Sequence, residues 1–363
     1  MQTKHRIEIG EAGAMTGVPD ASVDLVVTSP PYPMVSMWDQ VFGARDPEIA
    51  EALAAEDGPL AFERMHLQLD RVWGECLRVL RIGGLACINI GDAVRTIAGE
   101  FSLYSNHARI LMAAARLGFT VLPDILWRKP TNAPNKFMGS GMLPAGAYVT
   151  YEHEYILILR KGPKRSFDHP SEKEQRRRSA FFWEERNEWF SDIWLNLRGA
   201  WQNLGNPEAR ARSAAFPLEL PYRLIQMYSL IGDVVLDPFA GTGTTLAAAV
   251  ASARSSIGVE AAPELRPEIE AALMGAPKAT RERVLDRLRS HASFIAGRAD
   301  AQKEAKHANA RYGFPVVTGQ EADLELFVAA AVARSGPNTF TAHHEIAKLG
   351  EQVVEEEGIL PFG

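Results

Sequence analysis

Cysteine is nearly absent from this chain of 363 residues: Cys76 and Cys87 are the only two, and both sit in apolar stretches. Two buried thiols are the expected outcome, and neither a disulfide framework nor a cysteine-based metal site is supported. No Cys/His cluster suggests a metal centre, so no metal is expected. Nowhere does an apolar run approach the ~20 residues that span a bilayer, so no membrane span is expected. The opening MQTKHRIEIG has no apolar signal core, which points to the cytoplasm. A surplus of basic charge is lacking as well. The formal net charge is −6, so any contact with nucleic acid must come from a local patch. There is no internal repeat. Against these absences the apolar fraction of 46% and charged fraction of 23% are those of a globular protein. The length allows one large α/β domain or two smaller ones.

Short apolar runs alternate with helical patterns over roughly the first 125 residues. Val23 to Thr28 (VDLVVT) reads as a buried strand that stops at Pro30-Pro31. Phe62 to Leu80 is an amphipathic helix with Phe62, Met65, Leu69, Val72, Trp73, Cys76 and Leu80 on one stripe. Gly83-Gly84 is expected to end it, with Leu85 to Ile90 as the next strand. A second helix, Asn106 to Leu117, leads to the strand Val121 to Trp127. This rhythm predicts a mostly parallel sheet with helices on both faces, which binds ligands at the carboxyl ends of its strands. From Arg128 to about Leu204 the texture changes to Gly, Pro and Asn, with one clear strand, Tyr155 to Leu159. A basic segment, Arg160 to Arg178, is followed by the aromatics Phe181, Phe182, Trp183, Trp189, Phe190, Trp194 and Trp201. Then come a helix (Leu218 to Leu230), a strand (Val234 to Asp237), a helix (Thr244 to Arg254) and a strand (Ser256 to Glu260). From Ala276 onward the chain reads as polar helices.

The strongest local signal is VVLDPFAGTGTT, residues 234–245: a strand, a turn holding Gly241 and Gly243, then an Ala-rich helix. Glycines let the backbone approach a ligand with no Cβ in the way, and the helix start offers unpaired N–H groups. Glu260 ends the following strand about 20 residues after Asp237, where a nucleoside-binding α/β unit places a carboxylate for ribose hydroxyls. A nucleoside triphosphate would want a P-loop lysine, but Gly243 is followed by Thr244. A dinucleotide would want a third glycine where Leu246 stands. S-adenosylmethionine, which carries a ribose and no phosphate, suits the turn. The plainer alternative is a tight turn that needs its glycines for φ alone.

The second signal is Thr28-Ser29-Pro30-Pro31-Tyr32, directly after a strand. Two prolines fix the backbone and expose carbonyls without neighbouring N–H groups. The Ser29 hydroxyl and Pro30 carbonyl form a rigid pair of acceptors for an –NH₂ group, and Tyr32 is a stacking candidate for the base that carries it. The plainer reading is a strand ended by a Pro-Pro turn.

TSPPY followed by DPFAGTGTT resembles the amino-group DNA methyltransferases of bacterial restriction–modification systems, which make N4-methylcytosine or N6-methyladenine. With TSPPY ahead of the cofactor loop, the order is the circularly permuted one of the family's beta group, and the resemblance covers roughly residues 5 to 262. Ile9-Gly10-Glu11-Ala12 stands where the family usually has Gly-Asp near the cofactor adenine. Trp127-Arg128-Lys129-Pro130 and Glu152-His153-Glu154-Tyr155 match elements flanking the target-base pocket, and Ala214-Ala215-Phe216-Pro217 matches a segment closing the cofactor site. Glu11 replaces the usual Asp, and Arg212 stands where His is frequent.

The resemblance implies a Rossmann-like S-adenosylmethionine-dependent methyltransferase fold, with an inserted DNA-recognition region and a helical C-terminal extension. The expected divisions are 1–130 (catalytic half), 131–205 (DNA contact), 206–275 (cofactor half) and 276–363 (extension). Ser29, Pro30, Pro31 and Tyr32 are the expected catalytic residues. S-adenosylmethionine is expected on Glu11, Phe216, Pro217, Asp237, Pro238, Phe239, Gly241, Thr242, Gly243, Thr244, Thr245 and Glu260. DNA contact is expected from Lys129 and, in the basic segment, Lys164, Arg165, Arg176, Arg177 and Arg178. The plainer reading of that segment is a solvated charged loop. His153 is expected to be an ordinary strand histidine.

The implied partner is double-stranded DNA, together with a cognate restriction endonuclease; monomer and homodimer both remain open. Within the family, Ser at the head of S-P-P-Y leans toward cytosine N4 and Asp toward adenine N6, so N4-cytosine methylation is expected, with N6-adenine as the alternative. The amine would attack the sulfonium methyl directly after the base is flipped out of the duplex. A C5-cytosine mechanism would need a Pro-Cys pair, and neither cysteine follows a proline. Methylation of RNA or a protein amide is disfavoured by Ser29 and by the motif order. A non-catalytic DNA-binding protein on a degenerate methyltransferase fold is disfavoured by the intactness of both motifs.

Overall fold

In the computed structural model, which describes residues 1–129, 138–197 and 216–348, the first strong strand signal becomes the centre of a ten-stranded sheet. The sheet strands, in chain order, are β1 (Gln2–Ile9), β2 (Val23–Thr28), β3 (Leu80–Ile90), β4 (Phe119–Arg128), β5 (His153–Lys161), β6 (Ile193–Trp194), β7 (Val234–Asp237), β8 (Ser255–Glu260), β9 (Phe327–Arg334) and β10 (Thr339–Ile346). They lie in the order β6-β4-β5-β3-β2-β7-β8-β1-β10-β9. Every residue of β2 is buried, as expected of a parallel strand covered on both faces. The pairs from β3 across to β1 are parallel, and only β5 and β10 run against their neighbours.

The helices are α1 (Asp39–Gly43), α2 (Pro47–Ala54), α3 (Gly58–Val79), α4 (Asn106–Leu117), α5 (Pro170–Arg178), α6 (Trp183–Trp189), α7 (Glu219–Tyr228), α8 (Thr244–Ala251) and α9 (Arg266–Asp300). Asp57 caps α3 by accepting from the Leu60 N–H at 3.0 Å, and Pro59 sits in its first turn. Met65, Leu69, Val72, Trp73 and Cys76 of α3 then pack with Val26, Leu236, Ala86 and Ile88 on one face of the sheet. The alternate residues Leu25, Val27, Val235 and Cys87 face the other way, against α7 and α8. Thus α3 carries β2 to β3 on one face, and α8 carries β7 to β8 on the other. The direction of winding reverses between β2 and β7, which is where an open α/β sheet forms its ligand crevice.

Two expectations need correction. Gly83-Gly84 does not end α3. The helix stops at Val79 because Leu80 is already extended (φ −65°, ψ 140°), and β3 starts there. The glycines form a bulge inside the strand, where the β2 register shifts. Gly83 has φ +82°, and a Cβ on it would lie 2.6 Å from the backbone nitrogen of Arg165. The second correction concerns the C-terminal part, which is helical only to Asp300. After it come a short pairing of His307–Ala308 with Pro315–Val316 and then the β9–β10 hairpin, which adds to the sheet beside β1. The alternation Phe340, Ala342, His344, buried while Thr341, His343 and Glu345 face out or half out, is a strand period. In addition His153–Lys161, expected within the inserted region, is a member of the central sheet. Among the described residues no helix is long and apolar enough to cross a membrane.

Candidate active site at the strand ends

The switch point brings the two sequence signals together. β2 and β7 are hydrogen-bonded neighbours, with Leu25 opposite Val235 and Val26 opposite Leu236. Their carboxyl ends therefore project the serine–proline corner and the glycine turn side by side. One carboxylate ties them. Asp237 accepts from the Thr28 hydroxyl at 2.6 Å, from the Thr245 hydroxyl at 2.6 Å and from the Phe239 N–H at 3.0 Å. Burial pushes its carboxyl above the ordinary range, against the pull of those donors. Asp237 thus fastens the glycine turn to β2.

The catalytic corner leads into a polar chain. The Ser29 hydroxyl donates to Tyr32 Oη at 3.1 Å, and Tyr32 donates to Glu154 Oε2 at 3.0 Å. Asn89 Nδ2 donates to both Tyr32 Oη (2.9 Å) and Glu154 Oε2 (2.7 Å), and Lys129 Nζ donates to Glu154 Oε1 at 2.9 Å. Burial, then the neighbouring Glu154 charge, raises the Tyr32 phenol well above its usual value, so it stays protonated. Since the Ser29 proton is already given to Tyr32, the serine oxygen keeps its lone pairs for an incoming amine. Tyr32 is only 8% exposed, and the position of a Cβ on Gly91 would lie 3.0 Å from its ring. The ring is therefore packed closely against the Gly91 backbone. Glu154 falls within the Glu152-His153-Glu154-Tyr155 stretch that matches an element flanking the target-base pocket; Asn89 lies in no motif, although an Asn inside the apolar run LACINI is itself a signal, since a buried amide needs partners.

On the cofactor side, Glu260 accepts from the N–H of Gly241 (2.8 Å, Oε2) and of Ala262 (2.9 Å, Oε1). Burial raises its carboxyl above the ordinary range, and those two N–H groups pull it back. The Glu260 carbonyl accepts from the Gly10 N–H at 2.8 Å. Gly241 (φ +52°) has no atom nearer than 3.9 Å to where a Cβ would be, and Gly10 has none within 4 Å. Gly243 differs: its φ is +84°, and a Cβ would stand 3.0 Å from Ile269 Cα of α9. Gly243 is there for packing, Gly241 for open space. Thr242 and Thr244 stay half-exposed in the turn, and Pro238 is buried beside the partly buried Phe239.

Glu11 lies in the loop after β1, on the correct edge, but its exposed carboxylate is held by Arg45 at 3.0 and 3.1 Å. Phe216 is buried in the core beneath α7, with Pro217 half-buried beside it; Arg212, Ala214 and Ala215 lie outside the described residues. The basic segment lies at the far end of the sheet. Because β5 is antiparallel, Tyr155 pairs with Ile90 at the catalytic end while Arg160 pairs with Leu85 at the far end. The basic segment directly after β5 therefore emerges at the amino ends of the parallel strands. Arg165 is paired there with Asp233 at 2.7 Å, Arg177 with Asp323 at 3.1 Å and Arg178 with Glu325 at 2.6 Å. Lys164 and Arg176 line a crevice at the same end. None of these five reaches the active site; Lys129 does. Of the aromatics, Phe182, Trp189 and Trp194 are core residues, and Trp201 lies outside the described residues.

Fold and site together define a class, the S-adenosylmethionine-dependent methyltransferases that modify amino groups of DNA. A family model described as DNA methylase, of the N6/N4 type, matches residues 23–271, and the chain belongs to that family. It is similar to the Type II methyltransferase M.MthZI of Methanothermobacter thermautotrophicus, 47% identical over 341 residues that cover 94% of this chain and 95% of that protein. It is likewise similar to the Type II methyltransferase M.MjaI of Methanocaldococcus jannaschii, 48% identical, covering 74% of this chain and 90% of that one. Among solved structures it is similar to a candidate DNA modification methylase from Thermus thermophilus complexed with S-adenosyl-L-methionine. That match has a TM-score of 0.59 and 34% identity, covering 75% of this chain and 95% of that one. The chain is a Type II DNA methyltransferase of the amino-group type, of the restriction–modification kind, with S-adenosylmethionine as its cofactor.

Proposed function

We propose that this enzyme methylates the N4 amine of cytosine in duplex DNA, as the modifying partner of a restriction endonuclease. The observation that carries this reading is the junction of the Ser29-Pro30-Pro31-Tyr32 corner with the glycine turn through the Thr28–Asp237 bond of 2.6 Å. The strand ends fit the cofactor: the space beside Gly10 and Gly241 is open, and each Glu260 oxygen retains a lone pair for a ribose hydroxyl. Glu260, the Gly241–Thr242 backbone and Phe239 would hold it, and when bound it supplies an electrophilic sulfonium methyl group.

An exocyclic amine is a weak nucleophile because its lone pair is delocalised into the ring. The Ser29 oxygen and the Pro30 carbonyl accept from its two N–H groups and favour a tetrahedral nitrogen with that lone pair restored. Positioning supplies most of the acceleration. The proton released from nitrogen passes to the Ser29 hydroxyl, whose own proton moves through Tyr32 to Glu154, with Asn89 and Lys129 fixing the acceptor. Reaching the amine in a duplex requires flipping the nucleotide out. The leaning of Ser, against Asp, at the head of the motif toward cytosine supports N4 as the target.

The test is to incubate unmodified duplex DNA with enzyme and S-adenosylmethionine and identify the product nucleoside by mass spectrometry. N4-methylcytosine is expected, and Ser29→Ala should abolish it. N6-methyladenine as sole product would overturn the base assignment, and no methylated nucleoside at all would overturn the reading.

A further inference from the structure

The far end of the sheet holds a crevice of ≈ 1370 Å³, larger than the ~300–1,000 Å³ of an ordinary small-molecule pocket. It lies where β2 and β3 begin and where β5 ends, a strand's length from the active site: about 20 Å for six residues at ~3.3 Å each. Its acidic lining residues are already engaged. Asp24 takes Arg81 and Arg165, Glu172 accepts from the His169 N–H, and Glu321 accepts from Trp183 and Thr318. Lys164, Lys173, Arg176 and Arg186 line the crevice with no acidic partner among the described residues. Between them stand Trp183, 39% exposed, and Phe190, 40% exposed. The floor is built: the Gly83 bulge admits the Arg165 backbone, and Arg165 is fixed by Asp233 at 2.7 and 3.3 Å.

We propose that this crevice is a second nucleic-acid site, which takes a single-stranded polynucleotide with its phosphates on Lys164, Lys173, Arg176 and Arg186 and its bases against Trp183 and Phe190. A cationic groove interleaved with exposed rings matches a strand whose bases are unpaired, because a duplex offers such a surface phosphates alone. On a chain of net charge −6, four unneutralised cations in one crevice form a local attractor for a polyanion. The site is independent of the catalytic cleft, so it holds a strand whether or not the cleft is filled.

The experiment is fluorescence anisotropy of a labelled oligothymidylate about 15 nucleotides long, within the ~4–16-nucleotide span of single-strand grooves. It uses the full chain, with saturating unlabelled short duplex to fill the cleft. Binding should persist under the duplex. Lys164→Glu with Lys173→Glu should weaken it at least tenfold and flatten the log–log salt dependence by about 0.7 per lost phosphate contact. The kcat on duplex DNA should not change. Trp183→Ala should weaken the oligonucleotide but not heparin, a polyanion without bases. Should the glutamate pair fail to fold, as judged by its melting transition, the glutamine pair serves, with a smaller loss expected. Complete displacement by the duplex, equal affinity of wild type and charge variants, or a Trp183→Ala variant that binds the oligonucleotide as wild type does would each overturn the proposal.

Discussion

At the scale of single residues the site is a hydrogen-bonded chain with one carboxylate at its end, the route proposed above for the proton. Glu154 receives bonds from Tyr32, Asn89 and Lys129, and it lies beside His153, which bonds Tyr155 at 3.2 Å and has no part in the chain. Glu154→Gln keeps the shape but removes the charge that accepts a proton. Proton transfer of this kind contributes ~10²–10⁴-fold. We therefore expect kcat to fall by about 10²-fold or more, with S-adenosylmethionine affinity, measured by titration, close to wild type. Tyr32→Phe should also lose rate, because it leaves the Ser29 hydroxyl without its acceptor and cuts it off from Glu154. A Phe variant with wild-type kcat would exclude the chain as the proton route. Sequence patterns expose Ser29 and Tyr32 because prolines stand between them. They expose Glu154 only as one residue of a stretch flanking the target-base pocket and Asn89 not at all, because only the antiparallel pairing of β3 with β5 brings the two together beside Tyr32.

Among the elements, the turn between β7 and α8 separates two uses of glycine that look alike in sequence. Gly243 needs a left-handed backbone and has Ile269 against it; Gly241 needs the left-handed backbone but faces open space. Gly243→Ala should destabilise the fold by about 2 kcal/mol or more, the sum of a left-handed L-residue and a 3.0 Å clash. Gly241→Ala should lose only about 1 kcal/mol yet weaken S-adenosylmethionine strongly, because its methyl group would enter the cofactor's space. Urea unfolding and cofactor titration on the two variants check this; the opposite pattern would relocate the cofactor. Strands β2, β7 and β8 and helices α3 and α4 are legible because apolar period and turn residues agree there. The bulge at Gly83-Gly84 is not, since paired glycines after a helix serve equally as a stop or as room for another segment's backbone. The destination of the basic segment is equally hidden: it depends on the direction of β5, which pairing sets and composition does not.

Across the whole molecule, the C-terminal hairpin closes the sheet through a buried histidine seam. The run FVAAAVAR has helical propensity, which explains the helical expectation, but the open edge of β1 recruits it and its partner as strands. At the seam the Thr3 hydroxyl lies 2.8 Å from His5 Nε2 and 2.8 Å from His344 Nε2, and His5 Nδ1 lies 2.8 Å from Ser256 Oγ. The hydroxyl donates to one imidazole, which must be neutral to accept, and accepts an N–H from the other; burial holds that second ring neutral as well. Burial, then the charge of His344, lowers His5 to about 3; burial, then the terminal ammonium, lowers His344 to about 4. With folded values below the unfolded ~6.5, the unfolded chain binds more protons throughout the interval between them. Stability from the seam is therefore complete above about pH 6.5 and declines as pH falls toward 4, by up to about 2 kcal/mol per histidine at pH 5. Denaturant midpoints at pH 7 and 5 should show that decline. His5→Gln, which keeps a donor and an acceptor but does not titrate, should remove about half of it. Amide exchange at pH 5 should rise first in β9 and β10, the strands that this seam attaches. A midpoint unchanged between the two pH values would show that the imidazoles are not held neutral by the fold.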